Sequence, residues 1–226
     1  MVWLNPHELS FPNPREGDDE GLIAIGGDLS PERLLFAYSI SLFPWYNEGE
    51  PILWWSPNPR FVLHPKDLKV AKSMRPYFNQ QKFKVTFDTC FERIMEECGK
   101  KDRQDQLGTW ITKDIIEAYT ALHHLGYTHS VEVWDDDELV GGLYGVSFGK
   151  VFFGESMFAK VANASKFGFI TLVKILEQKG FQLIDCQQQT KHLGSLGAGT
   201  MPRDEFMDLI QKLVREETIL GSWSDF

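Results

Sequence analysis

The sequence predicts an α+β (α/β) protein, with a mixed domain from about Phe61 onward. Two patterns and one contrast carry this. Segments with apolar residues at helical spacing interleave with segments that alternate apolar and polar residues, and such an order builds a sheet covered by helices. Three consecutive alternating segments are separated only by short polar turns, as in an antiparallel meander. The first 60 residues differ in texture: prolines, glycines and tryptophans crowd them, and only a short strand and one helix stand out.

In chain order, FPNPREGDDEGLIAIGG at residues 11–27 reads as loop with one short strand, Leu22 to Ile25. Ser30 is an N-cap with Pro31 at the first helical position, and Leu34, Leu35 and Tyr38 supply the stripe of a helix from Pro31 to about Ile40. Trp45, Trp54 and Trp55 follow among prolines, too many aromatics for regular structure throughout. Each indole is either an anchor under a long loop or a flat surface for stacking a ring; Trp45, in a Pro44-Trp45-Tyr46 turn, is the best placed for stacking.

From Lys66 to Lys84 the chain turns basic. Lys66, Lys69, Lys72 and Arg75 are spaced by three, which on a helix from about Lys66 to Met74 makes a ridge on an acidic protein. Such a ridge is a solvated helix face or a contact for a phosphate backbone. Phe83 to Phe87 alternates as a strand, and Asp88 is placed to cap a helix carrying Phe91, Ile94, Met95 and Cys98. After the loop GKKDRQDQLG comes Thr109-Trp110-Ile111-Thr112, then a helix with Ile115, Ile116, Tyr119 and Leu122, closed by Gly126.

Ser130 to Trp134, Leu139 to Phe148 and Lys150 to Phe158 form the meander, with Asp135, Asp136 and Asp137 at its first tip. In the third strand Phe153, Glu155 and Met157 alternate with Gly154, Ser156 and Phe158, which puts one carboxylate between two large apolar groups on a single face. Ser165, Phe169, Leu172 and Leu176 stripe the next helix, which ends at Gly180; a strand, Phe181 to Gln187, repeats the polar-among-apolar pattern with Asp185 and Gln187. Polar groups aimed from two strands into an apolar setting describe a pocket. Pro202 and Glu205 open a last amphipathic helix. The order of elements from Phe61 onward suggests a GNAT-like acyltransferase architecture.

Composition narrows the function. With 226 residues, 42% hydrophobic and 13% aromatic, the chain has ample material for a core. It begins without a basic start or an apolar run, so the expected location is cytoplasmic, with no membrane partner. Three cysteines without CxxC spacing suggest neither a disulfide framework nor a thiolate metal site, and the histidines lack ligand spacing, so no metal is expected. A net charge of -9 argues against nonspecific coating of nucleic acid. GVSFGK at 145–150 falls short of a phosphate-binding loop, and no serine sits in a GxSxG elbow. AKVANA at 159–164 contains no glycine to cradle a pyrophosphate, so an acyltransferase of this kind needs a donor other than acetyl-CoA.

GGDLSPERLLFAY, FPWY, PILWWSPNPRFVL, GTWIT, EAYTALHHLGYTHSVEVW, ELVGGLYGV, GESMF, NASK, LIDCQ, SLGA and Pro202-Arg203 occur in this order. Together they closely resemble the leucyl/phenylalanyl-tRNA-protein transferase family, from about Gly21 to Arg203, and the resemblance implies a small N-terminal domain, residues 1–60, followed by a GNAT-like catalytic domain, residues 61–226. The resemblance implies transfer of Leu, Phe or Met from aminoacyl-tRNA to the α-amine of proteins with N-terminal Arg or Lys, which marks them for degradation, with neither ATP nor metal and no cofactor. It implies an aminoacyl pocket at Leu143, Met157, Phe169, Leu172, Leu176 and Ile184, with Glu155 at its edge. Trp45 and Trp110 match positions that hold the terminal adenosine, with Tyr38 and Tyr119 beside them. Lys66, Lys69, Lys72 and Arg75 then grip the acceptor stem by its phosphates.

The ester is already activated, and an α-amine of pKa about 7.7 to 8.0 is a competent nucleophile, so orientation carries much of the rate. Asp185 is assigned to holding the attacking ammonium, with acceptance of its proton as an open second role, and Gln187 to positioning the amine or ester. The alternative for Asp185 is a carboxylate capping the turn after its strand. A tRNA-dependent peptidoglycan-type aminoacyltransferase and a noncatalytic tRNA-binding protein are the rival functions.

Overall fold

The computed structural model describes residues 2–100 and 109–226. In chain order it contains β1 (Val2–Leu4), β2 (Leu22–Gly26), α1 (Pro31–Ser39), β3 (Phe43–Pro44), β4 (Leu53–Trp55), β5 (Arg60–Leu63), α2 (Arg75–Asn79), β6 (Lys84–Phe87), α3 (Phe91–Gly99) and α4 (Lys113–His124). Then follow β7 (Thr128–Asp135), β8 (Glu138–Phe148), β9 (Val151–Ala159), α5 (Ala164–Gln178), β10 (Leu183–Asp185), α6 (Lys191–Ser195), β11 (Gly199–Met201) and α7 (Arg203–Leu213). The class is mixed α/β, as the interleaved periodicities predict.

Two sheets organise the chain. A small sheet has the order β1-β2-β4-β3, and a seven-stranded sheet has the order β11-β5-β10-β9-β8-β7-β6. The meander β7-β8-β9 is antiparallel, whereas β10 runs parallel to β9 after the α5 crossover. One face of the large sheet packs against α1, α3, α4, α7 and the small sheet through Tyr38, Trp54, Ile94, Tyr119, Phe153 and Phe206. The other face lies under α5, with Leu143, Phe152, Leu172, Leu176 and Ile184. The core of the small sheet is thus continuous with one layer of the large one.

Capping side chains open α1, α4 and α6. The Ser30 hydroxyl accepts from the Arg33 N–H ahead of α1, and Thr112 caps α4 by accepting from the Ile115 N–H. Asp88, by contrast, does not cap α3: the N-cap position is Cys90, and the Asp88 carboxylate accepts from His129 Nδ1 and from the N–H groups of Ser130 and Trp223. A long-range network outcompetes the local cap. The helix expected over Lys66 to Met74 is absent; the segment holds two 3-10 turns, Pro65–Asp67 and Lys72–Met74, joined by extended chain. Lys69 donates its N–H to the Leu196 carbonyl at 2.8 Å, a tertiary bond that a helix would have spent internally.

The third meander strand departs from strict alternation. Tyr144 pairs with Ser156 and Gly145 with Gly154, which leaves Glu155 as the extra residue of a bulge. Phe153 therefore faces the layer with Tyr38, while Met157 faces the α5 layer. The single-face reading of Phe153, Glu155 and Met157 is corrected by that one inserted residue. Gly145 permits the close approach, because a Cβ there would collide with the Phe153 carbonyl and the Phe152 ring. The strand expected from Phe181 to Gln187 spans only Leu183–Asp185. The loop expected after α3 falls largely on residues 101–108, outside the described residues.

Candidate active site

Beyond Phe153, β9 continues without β10 beside it, since β10 pairs only with Val151 to Phe153. A cavity of about 600 Å³ occupies the gap. Its walls come from Gly154 to Ala159 on β9, Leu143 and Tyr144 on β8, Ser165 and Phe169 on α5, Ile184 to Gln188, and Thr190, His192 and Leu193. Phe43 on β3, Trp45 after it, Trp110 before α4 and Phe152 on β9 complete it. The volume suits an amino-acid side chain together with part of a larger ligand.

The β9 bulge aims Glu155 into this cavity, and a hydrogen-bonded chain holds it. Glu155 Oε1 accepts from the Tyr38 hydroxyl at 2.7 Å and from Gln187 Nε2 at 3.0 Å. Tyr38 and Tyr119, both fully buried, share a hydrogen bond between their hydroxyls. Burial pushes the Glu155 carboxyl up to about 8; the Asp185 charge adds to that, while the Tyr38 hydrogen bond, Arg60 and Gln187 oppose it. At neutral pH Glu155 is thus an uncharged acid at the edge of an apolar chamber. Both tyrosine hydroxyls are held well above their ordinary pKa, first by burial and then by the neighbouring Glu155, so they act as neutral donors.

Asp185 lies at the end of β10 with no exposed side-chain surface. Its oxygens accept from Arg60 Nε at 2.9 Å and Nη2 at 2.7 Å, and Oδ1 also accepts from the Gln187 N–H at 2.8 Å. That last bond is the turn cap that the sequence offered as the alternative for Asp185. Gln187 itself is left-handed, with φ 58°, so it leaves the strand and does not share the Asp185 face by alternation. Asp185 is also among the residues that line the cavity, with its carboxylate already paired to Arg60.

Of the residues expected around an apolar pocket, Leu143, Glu155, Met157, Phe169 and Ile184 line the cavity. Leu172 and Leu176 do not: they are completely buried in the layer beneath α5, on the core side of the same stripe. Trp45 and Trp110 both reach the cavity, while Tyr38 and Tyr119 support Glu155 from behind. Trp45 has a stiff mount, its carbonyl accepting from Trp55 Nε1 at 2.7 Å and its ring edge-on to Trp55. Lys66, Lys69, Lys72 and Arg75 are all exposed. Among the described residues no cluster of His, Cys, Asp and Glu is arranged to hold a metal ion, and no helix is long and apolar enough to cross a membrane.

Sequence reasoning missed Arg60 and the wall contributed by Gln188, Thr190, His192 and Leu193. Arg60 has one sequence signal, a cation in an otherwise apolar Arg60–Leu63 strand, which demands a buried partner. The 188–193 wall has none, because the turn set by Gln187 brings it there.

Comparison with known proteins gives a consistent answer. A family model described as leucyl/phenylalanyl-tRNA protein transferase matches residues 62–211, and the model of that family's N-terminal domain matches residues 27–58. A protein of Christiangramia forsetii called leucyl/phenylalanyl-tRNA–protein transferase is 56% identical over 212 residues, covering 93% of this chain and 100% of its own. Proteins of the same name from Nitrosospira multiformis and Myxococcus xanthus are 54% and 49% identical, covering 95% and 97% of this chain and 92% and 94% of their own.

Proposed function

The chain belongs to the leucyl/phenylalanyl-tRNA–protein transferase family of aminoacyltransferases, and from that premise we propose that it moves Leu, Phe or Met from aminoacyl-tRNA to the α-amine of proteins beginning with Arg or Lys. Such transfer marks the acceptor for degradation and belongs in the cytoplasm, where charged tRNA is found. The observation that carries the reading is the cavity beside the β9 bulge: apolar walls, an uncharged acid and an amide at one side, and two tryptophans at the edge of the same space.

In this reading the donor side chain enters between Leu143, Met157, Phe169 and Ile184. Unbranched or γ-branched guests fit such walls, and discrimination by shape stays graded, about 10 to 200-fold per methylene. Trp45 and Trp110 hold the terminal adenosine by stacking, worth about 1 to 3 kcal/mol for a base. The acceptor α-amine attacks the ester carbonyl; the C–N bond forms, the bond to the ribose oxygen breaks, and the tRNA leaves with the hydroxyl restored by the proton that the amine loses. Gln187 positions the amine or ester through its side-chain amide. Asp185 contributes from behind it, through the hydrogen bond that turns Gln187 toward Glu155.

Lys66, Lys69, Lys72 and Arg75 meet acceptor-stem phosphates as separate exposed cations. Replacing Lys69, Lys72 and Arg75 with Ala is expected to flatten the salt dependence of tRNA binding by about 0.7 to 0.9 for each phosphate no longer neutralised. An unchanged slope in a filter-binding titration removes them from the interface. Residues 1–60 form the small domain of the transferase, and residues 61–226 its acyltransferase-like domain.

The reading is tested by transfer of radiolabelled Phe from Phe-tRNA to two peptides identical except for a free or acetylated N-terminal Arg. Label on the free peptide alone is expected. Equal label on both, or none on either, overturns the assignment.

A further inference from the structure

We propose that Arg60 is a positioning residue for the transfer: by clamping Asp185 it fixes the turn that presents Gln187 to Glu155 at the cavity wall. The inference rests on the transfer reading for its rate effect and on the geometry alone for its effect on the cavity groups.

Arg60 opens β5, which lies between β11 and β10. The side chain has no exposure, and its guanidinium sits 4.7 Å from the Phe43 ring and 4.7 Å from the Phe206 ring. Phe43 belongs to the small sheet and Phe206 to α7, so the fork is gripped by both parts of the molecule. From there it makes two hydrogen bonds to Asp185, at 2.9 and 2.7 Å. Backbone bonds run alongside: Cys186 donates to the Phe61 carbonyl at 2.8 Å, and Phe61 donates to the Gln187 carbonyl.

A purely structural role explains this poorly. Taking an ion pair out of water rarely stabilises more than packed apolar side chains of the same volume. Arg60 Nη1 is moreover buried with no hydrogen-bond partner among the described residues, an added cost. What the pair does deliver is a fixed carboxylate at the cavity wall. Asp185 Oδ1 accepts from the Gln187 N–H, Gln187 takes its left-handed conformation, and its Nε2 reaches Glu155 Oε1. Tyr38 meets that same oxygen from the other side. Arg60, Asp185, Gln187, Glu155, Tyr38 and Tyr119 are thus one continuous chain of hydrogen bonds whose middle opens on the cavity.

The charges are coupled as well as the positions. Glu155 is faced by Tyr38 on α1, Tyr119 on α4, Asp185 on β10 and Arg60 on β5; burial dominates its raised pKa, Asp185 raises it further, and Arg60 lowers it. Removing Arg60 therefore raises the Glu155 titration and releases the Gln187 turn.

The experiment compares wild type, R60K, R60M and the double variant R60M/D185N, which removes the unpaired buried charge should R60M fail to fold. Two readouts are taken: steady-state Phe transfer to the free Arg peptide, and carboxyl titration of ¹³C-glutamate-labelled protein by NMR, with the Glu155 signal identified from E155Q. The expected result is a fall in kcat of roughly 100-fold in R60M or the double variant, on the scale of a misplacement of about 1 Å, with the KM for Phe-tRNA little changed. R60K restores part of the rate, and in R60M the Glu155 signal titrates at higher pH. In R60M, or in the double variant where R60M does not fold, a wild-type kcat overturns the proposal, as does an unmoved Glu155 titration in folded R60M. A wild type that transfers nothing refutes the transfer reading instead, and the NMR titration then decides by itself whether Arg60 sets the cavity groups.

Discussion

Asp88 and Asp185 are two enclosed carboxylates, each just at or past the end of a strand, each holding a buried cation-forming side chain and a backbone N–H. Their surroundings differ in one respect. Around Asp88 everything closes inward: His129 Nδ1 donates to it at 2.8 Å, the Trp223 indole stacks on His129 at 3.6 Å, and Phe226 stacks on Trp223. That network seals the C-terminal segment onto β7. Around Asp185 the chain of hydrogen bonds continues through Gln187 to Glu155 and surfaces in the cavity. A buried polar network alone marks no site; a network that ends on a ligand-sized space does.

The closed end carries the largest expected effect. Trp223→Ala removes a fully buried indole and should cost about 3 to 5 kcal/mol of stability, read by urea denaturation, while transfer per folded molecule stays at the wild-type rate. A proportionate loss of rate would join the C-terminal segment to the site. The open end gives the converse. Gln187→Ala removes the donor to Glu155 and should slow transfer about 100-fold, roughly 2.7 kcal/mol of barrier, with the denaturation midpoint nearly unmoved.

Protonation also separates the two regions, because they should respond to pH with opposite signs. Glu155 keeps its proton in the folded state up to about 8, whereas the unfolded chain releases it near the ordinary 4.5. The folded state binds more protons across that window, so this group makes stability fall as pH rises through it, by at most about 1.4 kcal/mol per pH unit. Glu155→Gln should remove that slope. Burial lowers the His129 pKa, outweighing its Asp88 partner, and Asp88 is held below the carboxylate range because its hydrogen bonds from His129, Trp223 and Ser130 outweigh burial. Both contributions are complete above the unfolded imidazole value, about 6.5; the His129 part is lost as pH falls below it, and the Asp88 part only at the acid end. His129→Gln should flatten stability on the acid side alone, as pH-dependent denaturation would reveal.

The smallest effect separates the cavity wall on β9 from the core side of α5. Met157→Leu, in the cavity wall, should shift the preference between Phe and Leu donors by up to about 10-fold. Leu172→Val, in the layer beneath, should leave that ratio alone in a competition assay with both charged tRNAs. A shift from Leu172→Val would extend the donor chamber into the core.

Periodicity and punctuation made most of the fold legible: the Ser30-Pro31 helix start, the meander and the α5 stripe all form at the expected places. What was hidden depends on contacts distant in sequence. The basic segment at 66–74 has helical spacing, but its backbone is claimed by Leu196; Asp88 has capping chemistry, but is claimed by His129 and Trp223. The site was partly legible because Glu155, Met157, Asp185 and Gln187 are unusual where they stand. Their faces were not, since a bulge at Glu155 and a left-handed Gln187 each break the period-two rule that assigned them. Arg60 was overlooked because a strand-opening arginine reads as exposed until its partner across the sheet is known.

The most direct test of the difference between the two networks is a single-turnover rate of Phe transfer, at saturating Phe-tRNA and free Arg peptide, for wild type, Gln187→Ala and Asp88→Asn at matched folded fraction. The open network predicts a rate about 100-fold lower in Gln187→Ala and a wild-type rate in Asp88→Asn. Equal rates in wild type and Gln187→Ala, or a comparable loss in Asp88→Asn, would contradict it.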